Sequence, residues 1–309
     1  MIVPSLFVAD DYKRHMSVNL NTGLWQCFKS GNKGNFIQLY AYLEGITYNK
    51  AESAILFKEL LDGKVFSSPE PQPKKKTNPD REKNLGLVPV TLESYDSENS
   101  LVQKAWAFLY ERKLFNLDDD GFQPTYYVAT GSRVNTLMYR NRLIIPFENN
   151  SEIFYFQARA LGDEAPKYLN ATGDWPKSSS VLYPFDTEED HVVVCEGPFD
   201  AISLQLQGVN ATCTLGCSIS DLQVEELKSF EGKIIVGYDN DAAGRKGVNR
   251  FDYLRRLKRM ADLHICHPPS EVKDWNEAHM KGMDLKRYVG LRTTKYDYDY
   301  LVDHLLTTL

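Results

Sequence analysis

Residues His191–Lys246 read HVVVCEGPFDAISLQLQGVNATCTLGCSISDLQVEELKSFEGKIIVGYDNDAAGRK. Two apolar runs within them, His191–Cys195 and Lys233–Tyr238, are too short for ordinary helices and rich in Val and Ile. Each is therefore predicted as a buried strand of a parallel sheet. Between them, Ala201–Gln207 has the spacing of a short helix, Ala211–Leu215 is predicted as a third strand and Asp221–Ser229 as a second helix. Right-handed crossovers of this kind place ligands in the crevice beyond the carboxyl ends of the strands. Glu196 closes the first strand there, and Asp239 and Asp241 close the last.

Asp239 and Asp241 are two residues apart, so in an extended segment they face the same way. Crowding them with Glu196 raises a carboxylate pKa unless a cation compensates. A hard divalent ion with oxygen ligands does so, and Mg²⁺ suits a few carboxylates plus water and phosphate. Taken singly, Asp239-Asn240-Asp241 reads as a solvated turn and Glu196-Gly197 as the start of a helix. Joined by a β-α-β-α-β unit, they read as a metal site. Glu196-Gly197-Pro198-Phe199-Asp200-Ala201 followed by Asp239-Asn240-Asp241-Ala242-Ala243-Gly244 resembles the E-G…D-x-D-x-A-G signature of the TOPRIM domain. Primases, topoisomerases and nucleases share that domain, so the signature specifies the domain and not the reaction.

A chain of 309 residues suggests about two domains. Hydrophobic content of 42% and charged content of 25% are ordinary for a globular protein. The formal net charge of −6 gives no global reason to bind nucleic acid, so such binding must rest on local patches. No apolar run reaches membrane-spanning length, and Met1–Ala9, broken by Pro4 and Ser5, is not expected to be a signal peptide. Cys27, Cys195, Cys213, Cys217 and Cys266 lack framework spacing, which suits a reducing cytoplasm. Cys213, Cys217, His264, Cys266 and His267 form no pair of C-x-x-C knuckles. They are read as buried thiols and loop histidines.

Ser17–Gly45 alternates around Asn21-Thr22-Gly23, which predicts a β-hairpin, and then takes helical spacing through Phe36, Leu39, Tyr40 and Leu43. Trp25–Gly31 with Gly34-Asn35-Phe36 resembles the zinc ribbon at the head of DnaG-type primases. Ser30 stands where its second cysteine belongs, and Val3-Pro4-Ser5-Leu6 lacks the other ligand pair. Cys27 and His15 fall short of four ligands. The expectation is a degenerate ribbon-like module without zinc, held by hydrophobic packing. Ala51–Leu61 continues as a helix. Ser67–Asn84 has four prolines and many charges, which predicts a flexible tether whose Lys74-Lys75-Lys76 run is solvated.

Further on, Leu101–Phe115 is predicted as a helix, and Tyr126–Val128 and Leu143–Phe147 as strands. The order Arg142-Leu-Ile-Ile-Pro-Phe, Tyr155–Leu161 and Ala165-Pro166-Lys167-Tyr168-Leu169-Asn170 resembles the basic subdomain preceding TOPRIM in DnaG-like primases, above all those of T4-like phages. Arg142, Arg159 and Lys167 would project into one cleft and hold phosphate; the alternative is ordinary surface salt bridges. In Gly244–Met260, Val248, Phe251, Leu254 and Leu257 form an apolar helical face, and Arg245 and Lys246 lie one turn from Asp241, placed to meet phosphate. Asp262–Cys266 is predicted as a fourth strand. The resemblance makes Asp274 a further metal-site acid, with Asn276 where many bacterial primases carry a second aspartate. Asp274-x-x-Glu277 also has the form of a helix cap. Asp200 is expected to stabilise the Gly197 turn. Asp284–Leu309 is predicted helical, and Tyr296–Tyr300 in it would either dock a helicase or pack on the parent domain.

The predicted architecture is α/β: a TOPRIM parallel sheet flanked by helices (188–283), preceded by a mixed α+β basic subdomain (88–187) and a degenerate zinc-ribbon-like module (1–63). A flexible linker (64–87) and a C-terminal helical tail (284–309) complete it. The resemblance implies a DNA primase that copies single-stranded DNA into short RNA primers from ribonucleoside triphosphates in the bacterial or phage-infected cytoplasm. It would act with a replicative helicase and without a membrane. Glu196, Asp239 and Asp241 would be catalytic and, with Asp274, hold Mg²⁺ or Mn²⁺. Whether Glu196 binds metal or relays a proton stays open. Arg142, Arg159, Lys167, Arg245 and Lys246 would hold template and nucleotide. Two other classes stay open as well: a TOPRIM metal-dependent nuclease, and a primase-derived non-catalytic protein that binds nucleic acid or a helicase.

Overall fold

The computed structural model describes residues 2–3, 5, 7, 11, 14–19, 24–44 and 85–296, apart from 118–120, 132–133, 151, 258–259 and 261–262. The chain forms two compact units, Met1–Lys74 and Lys75–Leu309. The predicted turn at Asn21–Gly23, the helix at Ala51–Leu61, the tether at Ser67–Asn84 and the tail beyond Tyr296 lie outside the described residues.

In the first unit, β1 (Ile2–Val3), β2 (Met16–Val18), β3 (Trp25–Cys27) and β4 (Lys33–Gly34) form an antiparallel sheet in that order. The expected hairpin is β2 and β3, with Val18 opposite Trp25 and Met16 opposite Cys27. Alternation does the work: Met16, Val18, Trp25 and Cys27 are buried, while Gln26 faces water. Leu39 of α1 (Phe36–Glu44) closes this small core, and Phe7 stacks on Trp25 at 5.0 Å. Asn35 and Gln38 cap α1 reciprocally, each side-chain oxygen accepting from the other's amide at 2.9 Å.

The sequence suggested a unit held by hydrophobic packing, and hydrogen bonds hold it as well. Ser5 Oγ donates to Cys27 Sγ at 3.0 Å, and the Ser30 amide donates to the same sulfur at 3.4 Å. The Asp11 carboxylate accepts from the amides of Ser5 at 2.6 Å and His15 at 2.8 Å, and pairs with His15 Nδ1.

The second unit opens with an antiparallel sheet in chain order: β5 (Leu87–Pro89), β6 (Tyr127–Ala129), β7 (Arg142–Asn149), β8 (Glu152–Ala160) and β9 (Tyr168–Asn170). α2 (Ser100–Glu111) precedes β6; Asn99 caps it by accepting from the amides of Leu101 at 3.0 Å and Val102 at 3.3 Å.

The second sheet contains β10 (His191–Cys195), β11 (Ala211–Cys213), β12 (Lys233–Val236), β13 (His264–Ile265) and β14 (Thr294–Lys295). Its order is β11-β10-β12-β13-β14, parallel except for β14. The connecting helices are α3 (Pro198–Gln205), α4 (Asp221–Leu227) and α5 (Ala242–Leu257), followed by α6 (Trp275–Met280) and α7 (Leu285–Arg292). The predicted β-α-β-α-β order holds, with the first strand matched at both ends and the displaced ends two or three residues away.

Two-residue periodicity splits the sheet between two cores. Val193, Cys195 and Ile235 pack with Phe199, Ile202, Trp275 and the antiparallel sheet. Val192, Val194, Ile234 and Val236 pack with Val224, Val248, Phe251 and Leu254 on the other face. Burial on both faces is why these strands read as continuous apolar runs. One detail departs from expectation, while Tyr296 follows one of its two readings, packing on the parent domain. The stretch predicted as a helical tail supplies α7 and then β14, an antiparallel edge strand with Thr294 opposite Ile265. Beyond the helix, Tyr296 is buried and its hydroxyl donates to Asn249 Oδ1 at 2.8 Å. Among the described residues no helix is long and apolar enough to cross a membrane.

Candidate active site

The chain leaves β10 towards β11 on one side and returns through β12 on the other, so the switch in strand order lies between β10 and β12. Open α/β sheets bind ligands at that place. Glu196 directly follows β10, and Asp239 follows β12 by three residues. The two meet: the Asp239 amide donates to Glu196 Oε1 at 3.2 Å. Gly244 permits this approach, since a Cβ there would collide with the Asp239 carbonyl and lie 3.2 Å from Glu196 Oε1.

Asp241 caps α5, its Oδ1 accepting from the amides of Ala243 and Gly244 at 2.8 Å each. Asp274 caps α6, its Oδ1 accepting from Glu277 N at 2.7 Å. The anticipated reciprocal bond is displaced by one residue, because the Glu277 carboxylate accepts from the Lys273 amide instead, at 2.9 Å. Asp200 lies in the first turn of α3, its Oδ2 beside Gly197, and its Oδ1 also accepts from the Asn276 amide at 3.2 Å and so ties α3 to the start of α6. Glu196, Asp200, Asp241 and Asp274 thus each give one oxygen to a backbone amide. Among the described residues none of them is ion-paired, and the Asp239 carboxylate has neither a hydrogen bond nor an ion pair.

Like charge accumulates here. Burial first, then Asp239, pushes the Glu196 carboxyl up to about 7. Burial and Asp274 push Asp200 up to about 8, and burial, Asp274 and Asp241 push Asp239 up to about 6. Among the described residues no three potential ligands converge on one point in this arrangement. The donor set nevertheless suits a hard divalent cation. It consists of carboxylates, each with an uncommitted oxygen, around an Asp239 carboxylate that no hydrogen bond holds in place.

Facing Asp274 is a cationic group. Burial lowers the pKa of Lys167, and Arg159, Lys273 and Arg112 lower it further, with Asp274 close enough to oppose them. Arg159 is lowered by burial and by Arg112 and Arg142, against Tyr168. Its guanidinium lies 5.4 Å from the Phe108 ring centre and 5.1 Å from that of Tyr168, while Arg112 lies 4.9 Å from Phe108. Arg159 and Lys167 are therefore brought together as expected.

Arg142 is not free to project into a cleft. It is 3% exposed, and its Nη1 donates to the carbonyls of Pro166 at 2.8 Å and Lys167 at 3.4 Å. With its guanidinium on these two carbonyls, it supports the Lys167 turn. Arg245 and Lys246 are exposed on the first turn of α5, the helix that Asp241 caps.

Sequence reasoning passed over Arg112 and Phe108, which carry no motif. Their place follows from the end of α2 meeting α6, a contact between residues 164 apart in the chain. It also passed over Lys273, which a closer look at the Lys273-Asp274 pair would have found.

Residues 193–279 match the family described as Toprim-like. The DNA primase of Thermotoga maritima is 24% identical over 296 residues, covering 84% of this chain and 50% of that protein. The DNA primase of Clostridium acetobutylicum is 35% identical over 127 residues, covering 38% of this chain and 21% of that protein. The chain thus spans about half the length, or less, of these relatives. Among solved structures, the RNA polymerase domain of Mycobacterium tuberculosis primase DnaG superposes with a TM-score of 0.50 at 21% identity, covering 66% of this chain and 80% of that one. The crevice at the β10–β12 switch therefore lies in a region that matches the Toprim-like family, within a mixed α/β fold similar to that of a DnaG primase.

Proposed function

We propose that this chain is a DnaG-type DNA primase, with the phage-like character its basic subdomain suggests, synthesising short RNA primers on single-stranded DNA in the cytoplasm by metal-dependent nucleotidyl transfer. One observation carries this reading. Unpaired carboxylates whose pKa values are raised by burial and mutual repulsion face crowded cations whose pKa values are lowered, with Lys167 beside Asp274. A metal-bound nucleoside triphosphate presents a cation to the first group and phosphate to the second, and so relieves both.

In this reading Glu196, Asp239, Asp241 and Asp274 hold Mg²⁺ or Mn²⁺. Two or more ions held there would supply activation of the attacking 3′-hydroxyl by one and neutralisation of the triphosphate and leaving pyrophosphate by another. Glu196 either binds metal or accepts the hydroxyl proton. Arg159 and Lys167, joined by Arg112 and Lys273, hold the triphosphate. Arg142 acts behind them by fixing the turn at Pro166–Lys167. Arg245 and Lys246 meet template or primer phosphates, and a replicative helicase is the expected protein partner. The proposed domains are a ribbon-like module at 1–63 that does without zinc, a linker ending before Leu85, a basic subdomain that includes β5 and runs to 187, and a TOPRIM domain from 188 that takes in α7 and β14. Elemental analysis giving about one tightly bound zinc per chain would overturn the zinc-free module.

The test of function is incubation of the full chain with single-stranded DNA, labelled ribonucleotides and Mg²⁺. Labelled RNA products support a primase. Shortening of the DNA points to a TOPRIM nuclease instead, and neither product points to a binding protein.

A further inference from the structure

Asn276 is 2% exposed, and every hydrogen-bonding group of its carboxamide is engaged. Its Nδ2 donates to the Arg112 carbonyl at 3.2 Å and to Ser203 Oγ at 3.0 Å, and its Oδ1 accepts from Arg112 Nη1 at 2.8 Å. Ser203 in turn donates to the Phe199 carbonyl at 2.7 Å, which anchors the network in α3. One turn along α6, His279 Nε2 donates to the Lys113 carbonyl at 2.7 Å. α6 therefore grips the turn that ends α2 at two consecutive residues. That turn needs holding, since Lys113 sits at φ 54° without being glycine.

The grip aims a charge. Among the described residues, Asn276 is the only hydrogen-bond partner of the Arg112 side chain, which lies over Phe108 beside Arg159. A guanidinium has five donors in a fixed fork, so the bond to Nη1 together with the Phe108 ring 4.9 Å away orients it and leaves the other donors for a ligand. The chemistry of the partner matters. A carboxylate at position 276 would orient Arg112 equally well but would neutralise it, and would lose both Nδ2 donations. A carboxamide orients the cation and leaves its charge available.

We propose that Asn276 is a positioning residue for the nucleotide: through its neutral, fully bonded amide it fixes the Arg112 guanidinium beside Arg159 as a phosphate-binding pair. The proposal deepens the nucleotidyl-transfer reading above and rests on it for the identity of the ligand.

The test is a double-mutant cycle on the full chain with N276S, R112A and N276S/R112A, reading the Kd for magnesium ATP by anisotropy of a fluorescent analogue. Ser is small enough to be accommodated and too short to reach Arg112. We expect N276S and R112A each to weaken binding about tenfold, and the double variant to be no weaker than R112A alone. Primer extension should show a raised nucleotide KM with kcat changed by less than about threefold. N276D, which keeps the side-chain size and guards against a folding failure of N276S, should also weaken binding, through neutralisation.

Losses that add in the double variant would overturn the proposal, as would N276S and N276D that bind like wild type while R112A does not. Absence of ATP binding by the wild type, or tight binding by R112A, overturns it too. Should the cycle show coupling while the wild type makes no RNA, the primase reading fails and the Arg112–Asn276 pairing stands.

Discussion

Replacing Asp239 by Asn removes a charge without removing a hydrogen bond, because that carboxylate has no partner among the described residues. In the metal-free chain the substitution should therefore stabilise the fold. Burial, with Asp274 and Asp241, raises the Asp239 pKa from 3.8 to about 6. A shift of roughly two units corresponds to about 3 kcal/mol, and partial exposure screens this to about 1–2 kcal/mol. The sign follows from proton counting. Below pH 3.8 the folded and unfolded chains both hold the proton, and D239N has no advantage. Between there and about 6 the folded chain keeps a proton that the unfolded chain has lost, so wild-type stability falls as pH rises, and above that the deficit is complete. Urea denaturation in EDTA at pH 4 and pH 7.5 reads the difference, which should appear only at the higher pH. Saturating Mg²⁺ should reverse the order, since an ion at 100 times its Kd adds about 2.7 kcal/mol to the wild type and little to the variant. Primer synthesis should be lost in the same variant. A D239N chain less stable than wild type at pH 7.5 in EDTA, or a wild type whose unfolding ignores Mg²⁺, would refute the assignment of this carboxylate to a cation.

Asp241 separates capping from catalysis. D241N keeps an acceptor for the Ala243 and Gly244 amides and should abolish synthesis with little loss of stability, whereas D241A should lose about 1 kcal/mol as well in thermal unfolding. R142M should destabilise the chain by about 1–2 kcal/mol, because the Pro166 carbonyl loses its guanidinium donor while the Lys167 carbonyl keeps the Ala160 amide at 2.9 Å, and should loosen the Lys167 turn. A stability unchanged in urea would show that Arg142 has no such supporting role. In the first unit, against the desolvation that raises it, bonds from His15 and the Ser5 amide hold the Asp11 carboxyl down at about 2. Its contribution to stability is present above the ordinary aspartate pKa and is lost as pH falls through about 2. D11N should accordingly speed hydrogen exchange at the Ser5 and His15 amides at neutral pH, and unchanged protection would count against that network.

The strands of the second sheet were legible because both their faces are buried, which writes them as Val and Ile runs between turn residues. Glu196 and Asp239 were legible for a related reason, since the strand ends fix where the acids must fall. What escaped was what depends on contacts distant in sequence. Arg142 looked like a surface cation because nothing in a local window shows that its strand is covered on that side. Asp200 is the helix-start residue it looked like, but its bond to the amide of Asn276 could not be foreseen, since only the docking of α6 against α3 provides it. The edge strand at Thr294–Lys295 was missed because two residues carry no periodicity, and only the exposed flank of β13 gives them a partner.

The bonds that end two helices have a consequence for ion capture. Asp241 and Asp274 are each pinned through one oxygen, so the other oxygen of each is already aimed and has little rotational freedom to surrender. Of the proposed ligands, Asp239 alone has a carboxylate without such a bond among the described residues, so drawing the acids onto one ion would fall to the turning of that side chain.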